Sequence, residues 1–309
     1  MWFLEGIGVA EYVLSLSYGK DSLACLGAIE QLGLPLDRIV HAEVWATDTI
    51  PADLPPMVEF KEKVDSIVKE RYGIVVEHIH ATRDGEKLTY EKLFYHVPNR
   101  KEGGNFDAGS PAGFPYTKGA WCNDRLKTNV LDDIARRTVS LKAIDSARGG
   151  TSALKRGRSL HTEGNAPAVK YFGIAADEQE RIERHTKKGI ILPLVEIGWD
   201  EKFCRQWCEE NDLLSPIYTQ SARGGCWFCH NQGIGQLRLL RRNYPDLWAL
   251  LMKWDLDSPV TFKADGHTVH DFDLRFRLED EGVIPTDKAF RWDWLERPPG
   301  VQMIMEGFT

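Results

Sequence analysis

Six consecutive residues, Ser17-Tyr18-Gly19-Lys20-Asp21-Ser22, put two hydroxyls, an ammonium, a carboxylate and a glycine in one place. Tyr12-Val13-Leu14-Ser15-Leu16 before them reads as a buried strand, and Leu23 to Ile29 after them as the first turns of a helix. A strand feeding a short turn and then a helix aims backbone N–H groups and the positive end of the helix dipole at one point. With Lys20 and the hydroxyls of Ser17 and Ser22 at that point, and Gly19 allowing close approach, the group it suits is a pyrophosphate. Asp21 has two roles open to it, placing Mg2+ or capping the helix. The phosphate loop GxxxxGK[ST] is excluded, because Leu14 stands where its first glycine must be. The plain alternative is a Ser/Gly turn with no ligand.

Thiols form the second constellation. Gly224-Gly225-Cys226-Trp227-Phe228-Cys229 is a CxxC in a glycine-led turn, where the backbone can wrap so that both thiolates face inward. Zinc, a redox disulfide and an iron–sulfur cluster all use this spacing. A third thiol, Cys122, lies in Trp121-Cys122-Asn123-Asp124-Arg125-Leu126-Lys127, and His230 follows Cys229. Tetrahedral zinc on Cys122, Cys226, Cys229 and His230 is one outcome, no metal another. Cys204 and Cys208, four apart on a predicted helix, and Cys25 read as core thiols.

Composition bounds the rest. A chain of 309 residues suits one large α/β domain or one with a sizeable appendage. No apolar run approaches the ~18 residues of a membrane span, and Met1-Trp2-Phe3-Leu4-Glu5 lacks a basic signal-peptide start. The expectation is a soluble, cytoplasmic protein with no membrane partner. Six scattered cysteines then suggest metal or redox chemistry rather than a disulfide framework. A net charge of −7 excludes indiscriminate nucleic-acid binding but leaves room for a local basic patch.

The elements that must position these groups alternate. Residues 38–46, 74–80 and 169–175 read as further strands, 190–195 as a fifth, and 57–72 and 123–137 as helices. That order predicts an α/β doubly wound parallel sheet over residues 1–199, with ligands at the carboxyl ends of its strands. Residues 200–309 read as a smaller, mostly helical region carrying the CxxC, with no pattern from Thr261 onward. Residues 98–119 are a Gly/Pro-rich, lid-like loop. The insertion 140–167 holds Arg148, Lys155, Arg156 and Arg158 in a stretch free of acids, suited to a phosphate backbone or simply to solvent, with Arg238, Arg241 and Arg242 able to extend it.

Five motifs in order carry a resemblance. The Ser17–Ser22 run resembles SGGKDS of the ATP-pyrophosphatase (PP-loop) superfamily, with Tyr18 for the first glycine. Asp48-Thr49 is similar to its DTG. The Cys122 segment resembles CCxxRK of the PAPS reductase-like branch, with Trp121 for the first cysteine. Gly173-Ile174-Ala175-Ala176-Asp177-Glu178-Gln179-Glu180-Arg181 resembles GIRxxES-R, with Ala175 for its arginine and Gln179 for its serine. Leu192-Pro193-Leu194, Trp199 and Ser215-Pro216-Ile217-Tyr218 through Cys226 resemble the branch's ending.

The resemblance implies an adenine-nucleotide alpha-hydrolase-like fold, ATP held by Ser17, Gly19, Lys20, Asp21, Ser22, Asp48 and Gly173, Mg2+, and Lys20 and Asp21 as catalytic residues. It implies Arg125 and Lys127 on substrate phosphate, where a solvated helix face is the alternative. It also implies a [4Fe–4S] cluster on Cys122, Cys226 and Cys229, with one iron open. Cys229 is the last cysteine, so the tail nucleophile of the sulfonucleotide reductases is missing, while Lys20 is kept. Both features favour ATP cleavage, and the motif style is most similar to the DNA phosphorothioation sulfurtransferases. The implied activity is adenylation of an acceptor, DNA or tRNA, followed by sulfur transfer from a cysteine-desulfurase-type donor. A sulfonucleotide-handling enzyme of small-molecule sulfur metabolism and a non-catalytic nucleotide-binding subunit are the alternatives.

Overall fold

The computed structural model describes residues 11–98, 109–115, 120–132, 168–186, 190–219, 224–286 and 290–296. The basic residues Arg148, Lys155, Arg156 and Arg158, with the whole insertion 140–167, lie outside the described residues, as does most of the loop 98–119. Two compact units emerge, Met1–Glu91 with Trp121–Cys226, and Lys92–Ala120 with Trp227–Thr309. The change of sequence texture at residue 200 therefore falls inside the first unit.

The first unit is α/β. Strands β1 (Tyr12–Ser15), β2 (Arg38–Glu43), β3 (Val76–His80) and β6 (Val169–Phe172) form one parallel sheet in the order β3-β2-β1-β6. Leu14 lies opposite Ile39 on one side and Tyr171 on the other, and all three are fully buried. This is why the inner strands read as continuous apolar runs. The order reverses at β1, so the carboxyl end of β1 is a topological switch point, where α/β sheets leave a crevice.

Helix α1 (Lys20–Leu32) buries Ser22 through Ile29 without a break and ends on Gly33, whose φ of 63° closes the helix in the left-handed conformation. Helix α3 (Gln179–Thr186) follows the last strand of the sheet, and α1 packs against the two short helices after it, α4 (Pro193–Ile197) and α5 (Glu201–Glu210). Helix α2 (Pro55–Tyr72) starts on proline and buries Met57, Phe60, Lys61, Val64 and Val68, an amphipathic stripe with a lysine in its middle. The expected strand over 190–195 is corrected: Ile191 makes only an isolated bridge to Tyr171, and Pro193, favoured at a helix start, opens α4. Sequence reading also passed over a hairpin, β4 (Thr82–Arg83) and β5 (Glu86–Lys87). Its turn residues Asp84 and Gly85 have φ of 55° and 85°, as a type I′ turn requires.

In the second unit, helices α6 (Ile234–Asn243), α7 (Pro245–Asp257) and α8 (Val269–Asp280) pack on one another. Trp227 and Trp254 are fully buried and stack at 5.6 Å. Helix α8 begins with a capping box, Thr268 with Asp271, in a stretch where periodicity had shown nothing. Arg238 and Arg241 do not extend a basic patch: Glu279 binds Arg238 at 2.6 Å, and Asp273 and Asp280 bind Arg241 at 2.8 Å. Among the described residues no helix is long and apolar enough to cross a membrane.

Candidate phosphate-binding site

The Ser17–Ser22 segment is the turn between β1 and α1, at the switch point. The Ser17 hydroxyl donates to Ser22 Oγ (2.9 Å), and Ser22 in turn donates to the Gly19 carbonyl (3.0 Å), which folds the loop on itself. Gly19 is the N-cap residue and has no side chain to cap α1. Asp21 is therefore not the cap, and its carboxylate pairs with Lys20. Lys20 N–H donates to the Tyr218 hydroxyl at 3.2 Å, which brings a residue of the Ser215–Tyr218 motif to the loop. Burial raises the pKa of that hydroxyl, so it stays protonated.

Tyr18 is the surprise. At this position, where the motif it resembles has glycine, it keeps a left-handed φ of 56°, costing about 1–2 kcal/mol for a side-chain-bearing residue. Its ring is buried, meets His41 edge-on at 4.8 Å, and its hydroxyl donates to Asp65 and lies 3.0 Å from His78 Nε2. His78 also contacts Asp65 at 2.8 Å. His41 Nδ1 sits 2.8 Å from the Leu16 carbonyl, and its Nε2 accepts from Lys61 at 2.8 Å. Lys61 is paired with Asp53. Burial, then the neighbouring Lys61 charge, hold His41 well below the usual imidazole range, so it is neutral and free to accept. The lysine in the apolar stripe of α2 is thus the base of a polar cluster supporting the loop from behind.

Burying an aromatic ring is worth about 3–5 kcal/mol against truncation, more than the left-handed backbone costs. Tyr18→Gly, although it relieves the left-handed backbone, is therefore expected to lower the urea midpoint. Tyr18→Phe should lower it too, for a destabilisation of about 1–3 kcal/mol, because Asp65 and His78 each lose a partner. A Tyr18→Gly protein at least as stable as the parent would show the ring to be dispensable.

On the open side of the loop, Lys20 Nζ lies 2.7 Å from Asp21 and 3.3 Å from Glu201. Burial opposes the ammonium, but these two carboxylates outweigh it and raise its pKa. Burial raises the pKa of Asp21, opposed by Lys20. Asp21, Glu178 and Glu201 bring carboxylate oxygens within 4.8 Å of one another, the one such group of three among the described residues. Gly173, just past β6, closes the floor. A Cβ there would strike the Asp21 carbonyl and lie 2.6 Å from Ser22 Cα. Sequence reading named Asp21 and Gly173 but missed Glu178, Glu201 and Tyr218 as site residues, although Glu178 and Tyr218 stood in motifs it had quoted.

Family models, curated proteins and solved structures were all compared with this chain, and none matches it.

The other expected site residues are spread out. Asp48 follows β2, exposed, with its carbonyl accepting from Lys87 at 3.2 Å. Arg125 and Lys127 sit on a π-helical turn, Asp124–Thr128, that packs on β2 and buries Leu126 between them. Such turns re-aim side chains and are frequent at functional sites. Cys122 and Cys226 belong to the first unit, Cys229 and His230 to the second. Burial lowers the pKa of His230, with Lys263 adding to it, and its Nε2 is buried with no hydrogen-bond partner among the described residues. A neutral, unpartnered imidazole nitrogen next to a thiol is a donor set that fits a metal. Cys25, Cys204 and Cys208 are buried, and burial pushes Cys204 and Cys208 up to about 12, so none of the three is a thiolate ligand. Cys208 instead donates to the Lys20 carbonyl at 3.2 Å.

Proposed function

We propose that this chain is an ATP-dependent adenylating enzyme of PP-loop type, on a doubly wound adenine-nucleotide alpha-hydrolase-like sheet, that prepares a nucleic-acid acceptor for replacement of oxygen by sulfur. One observation carries the reading. The start of α1, where the N-cap residue Gly19 carries no side chain and Lys20 stands beside it, lies at the switch point of a parallel sheet, and Gly173 lets the end of β6 approach that helix start closely.

In this reading an acceptor oxygen attacks the α-phosphorus of ATP. The new O–P bond forms as the bond to the bridging oxygen breaks, and pyrophosphate leaves with that electron pair. The α1 N–H groups and Lys20 meet the charge that develops on it. Asp21, Glu178 and Glu201 are hard oxygen donors of the kind Mg2+ takes, and Mg2+ held there would neutralise phosphate charge. Lys20 contacts two of these carboxylates, Asp21 and Glu201, and a cation bound among them would free it to turn to the pyrophosphate. Two electrons from an external thiol reductant release the outer sulfur of the persulfide on a cysteine-desulfurase-type donor as hydrosulfide, which attacks the activated acceptor atom; the bond from that atom to its adenylated oxygen breaks and AMP leaves with the electron pair.

The expectation of a [4Fe–4S] cluster on Cys122, Cys226 and Cys229 is part of the proposal, and such a cluster would supply a Lewis-acidic iron to hold that sulfur. The unpartnered His230 Nε2 favours a second reading, zinc with His230 as a ligand. Protein purified without oxygen is expected to be brown, absorbing near ~400 nm. Cys122→Ser, Cys226→Ser and Cys229→Ser should each bleach it, and Cys204→Ser should not. Colourless protein with stoichiometric zinc, lost in His230→Ala, would replace the cluster by zinc. The adenylation itself is tested by ATP–pyrophosphate exchange.

A further inference from the structure

A second crevice opens on the same edge of the sheet. Its volume is about 660 Å3, within the ~300–1,000 Å3 range of ligand sites. Three elements frame it. The end of β3 contributes His78 and His80, which share one face of the strand because side chains alternate. The β4–β5 hairpin contributes Arg83, and the π-helical turn with the residues after it contributes Arg125 and Asn129.

Its electrostatics run against those of the whole chain. Asp and Glu outnumber Lys and Arg by 46 to 39. Yet the described residues lining the crevice include two arginines, two histidines and no carboxylate, with the acids Asp65 and Glu43 standing behind His78, at 2.8 Å and 3.9 Å. Elsewhere Arg38, Arg71, Arg205, Arg238, Arg241 and Arg275 are each held by a carboxylate. Arg83 and Arg125 form no ion pair among the described residues, and both are exposed. Two unpaired guanidiniums flanking a polar crevice lined by imidazoles make a site for an anion with several oxygens, the geometry in which arginine outperforms lysine.

Position narrows the anion. All four strands are parallel, so their carboxyl ends share one edge, and β3 stands two strands from β1. Two strand spacings of about 4.8 Å put the crevice roughly 10 Å along that edge from the phosphate loop. His78 joins the two places, lining the crevice while its Nε2 lies 3.0 Å from the Tyr18 hydroxyl.

We propose that this crevice is the acceptor subsite, which takes a sugar–phosphate unit of single-stranded nucleic acid with Arg83 and Arg125 on its phosphate oxygens. The proposal rests on the reading of the acceptor as nucleic acid. It assigns His78, His80, Arg83 and Asn129, together with Arg125, to the acceptor side of the reaction.

The test is fluorescence anisotropy of a short labelled single-stranded DNA with the full-length protein, over a salt series and without ATP. Arg83→Ala/Arg125→Ala is expected to weaken binding at least ~10-fold and to flatten the log–log salt slope by about 1.4, two contacts at ~0.7 each. ATP affinity should stay at the parent value. Arg83→Lys/Arg125→Lys, which keeps the charge, should restore most of the slope. Parent protein that does not bind the DNA, or a folded alanine variant that binds it with unchanged affinity and slope, overturns the subsite. So does a loss of ATP affinity in the alanine variant, which would make the crevice part of the nucleotide site. Because no ATP is present, absence of pyrophosphate exchange would sink the adenylation reading and leave this result standing.

Discussion

Gly173→Ala should unseat the start of α1 and remove nucleotide binding. The added methyl would meet the Asp21 carbonyl and Ser22 Cα, the latter at 2.6 Å. Both are backbone atoms, so no rotamer change relieves the clash, and the helix start or the chain after β6 must move. Overpacking of this kind costs about 1–3 kcal/mol, and a rigid backbone target puts it at the upper end. The displaced groups are those that would face phosphate: the N–H groups of the first turn, Lys20 and Asp21. Urea denaturation should show a lowered midpoint, and calorimetric titration should show ATP affinity falling further than stability does. Gly19 is the useful contrast, since a Cβ there meets only Ser17 Oγ and the Tyr218 hydroxyl at an ordinary 3.5 Å. Gly19→Ala should fold normally and lose mainly affinity. Parent-like stability and ATP affinity in Gly173→Ala would mean that this approach plays no part in the site.

Lys20→Ala should cut ATP–pyrophosphate exchange by on the order of 10²–10³-fold, the usual effect of removing one electrostatic stabiliser from a preorganised site. Stability should change little by comparison, because the ammonium faces Asp21 and Glu201 rather than the apolar core. Its loss also leaves three carboxylates without their nearest cation. The raised pKa of Asp21 should therefore rise further, and any residual exchange should fall off at a higher pH than in the parent protein. Full exchange in the folded variant would remove the adenylation mechanism.

Local patterns carried the sheet. Strands near residues 12, 38, 76 and 169, helix α1 and the loop between β1 and α1 all follow from apolar runs and turn residues next to one another in the sequence. What escaped depends on contacts between distant residues. Nothing local in Tyr18 distinguishes an anchored ring from a lost glycine, because Asp65 and His78 come from α2 and β3. Lys61 sat in an apolar stripe, and that local oddity could have pointed to a buried partner. Ile190 to Val195 failed for another reason: an apolar run of that length fits a strand or a buried helix, and Pro193 should have tipped it to helix. The Asp84-Gly85 turn and the Thr268–Asp271 capping box were legible as local signals and were passed over. The acidic triad was not, since Asp21, Glu178 and Glu201 meet only through the fold.

The support of the phosphate loop has a consequence for how the protein comes into being. Tyr18 relies on His41, Asp65 and His78, all supplied within the next sixty residues. The open side waits much longer, because Lys20 is bonded to Tyr218, 198 positions away, and the Lys20 carbonyl to Cys208, 188 positions away. Contacts of that separation form last, after the loop-closure entropy has been met. A chain emerging from the ribosome would thus own a braced but incomplete loop for most of its synthesis, until the Ser215–Tyr218 segment arrived. Under the proposed function, nucleotide affinity would then report completion of the first unit.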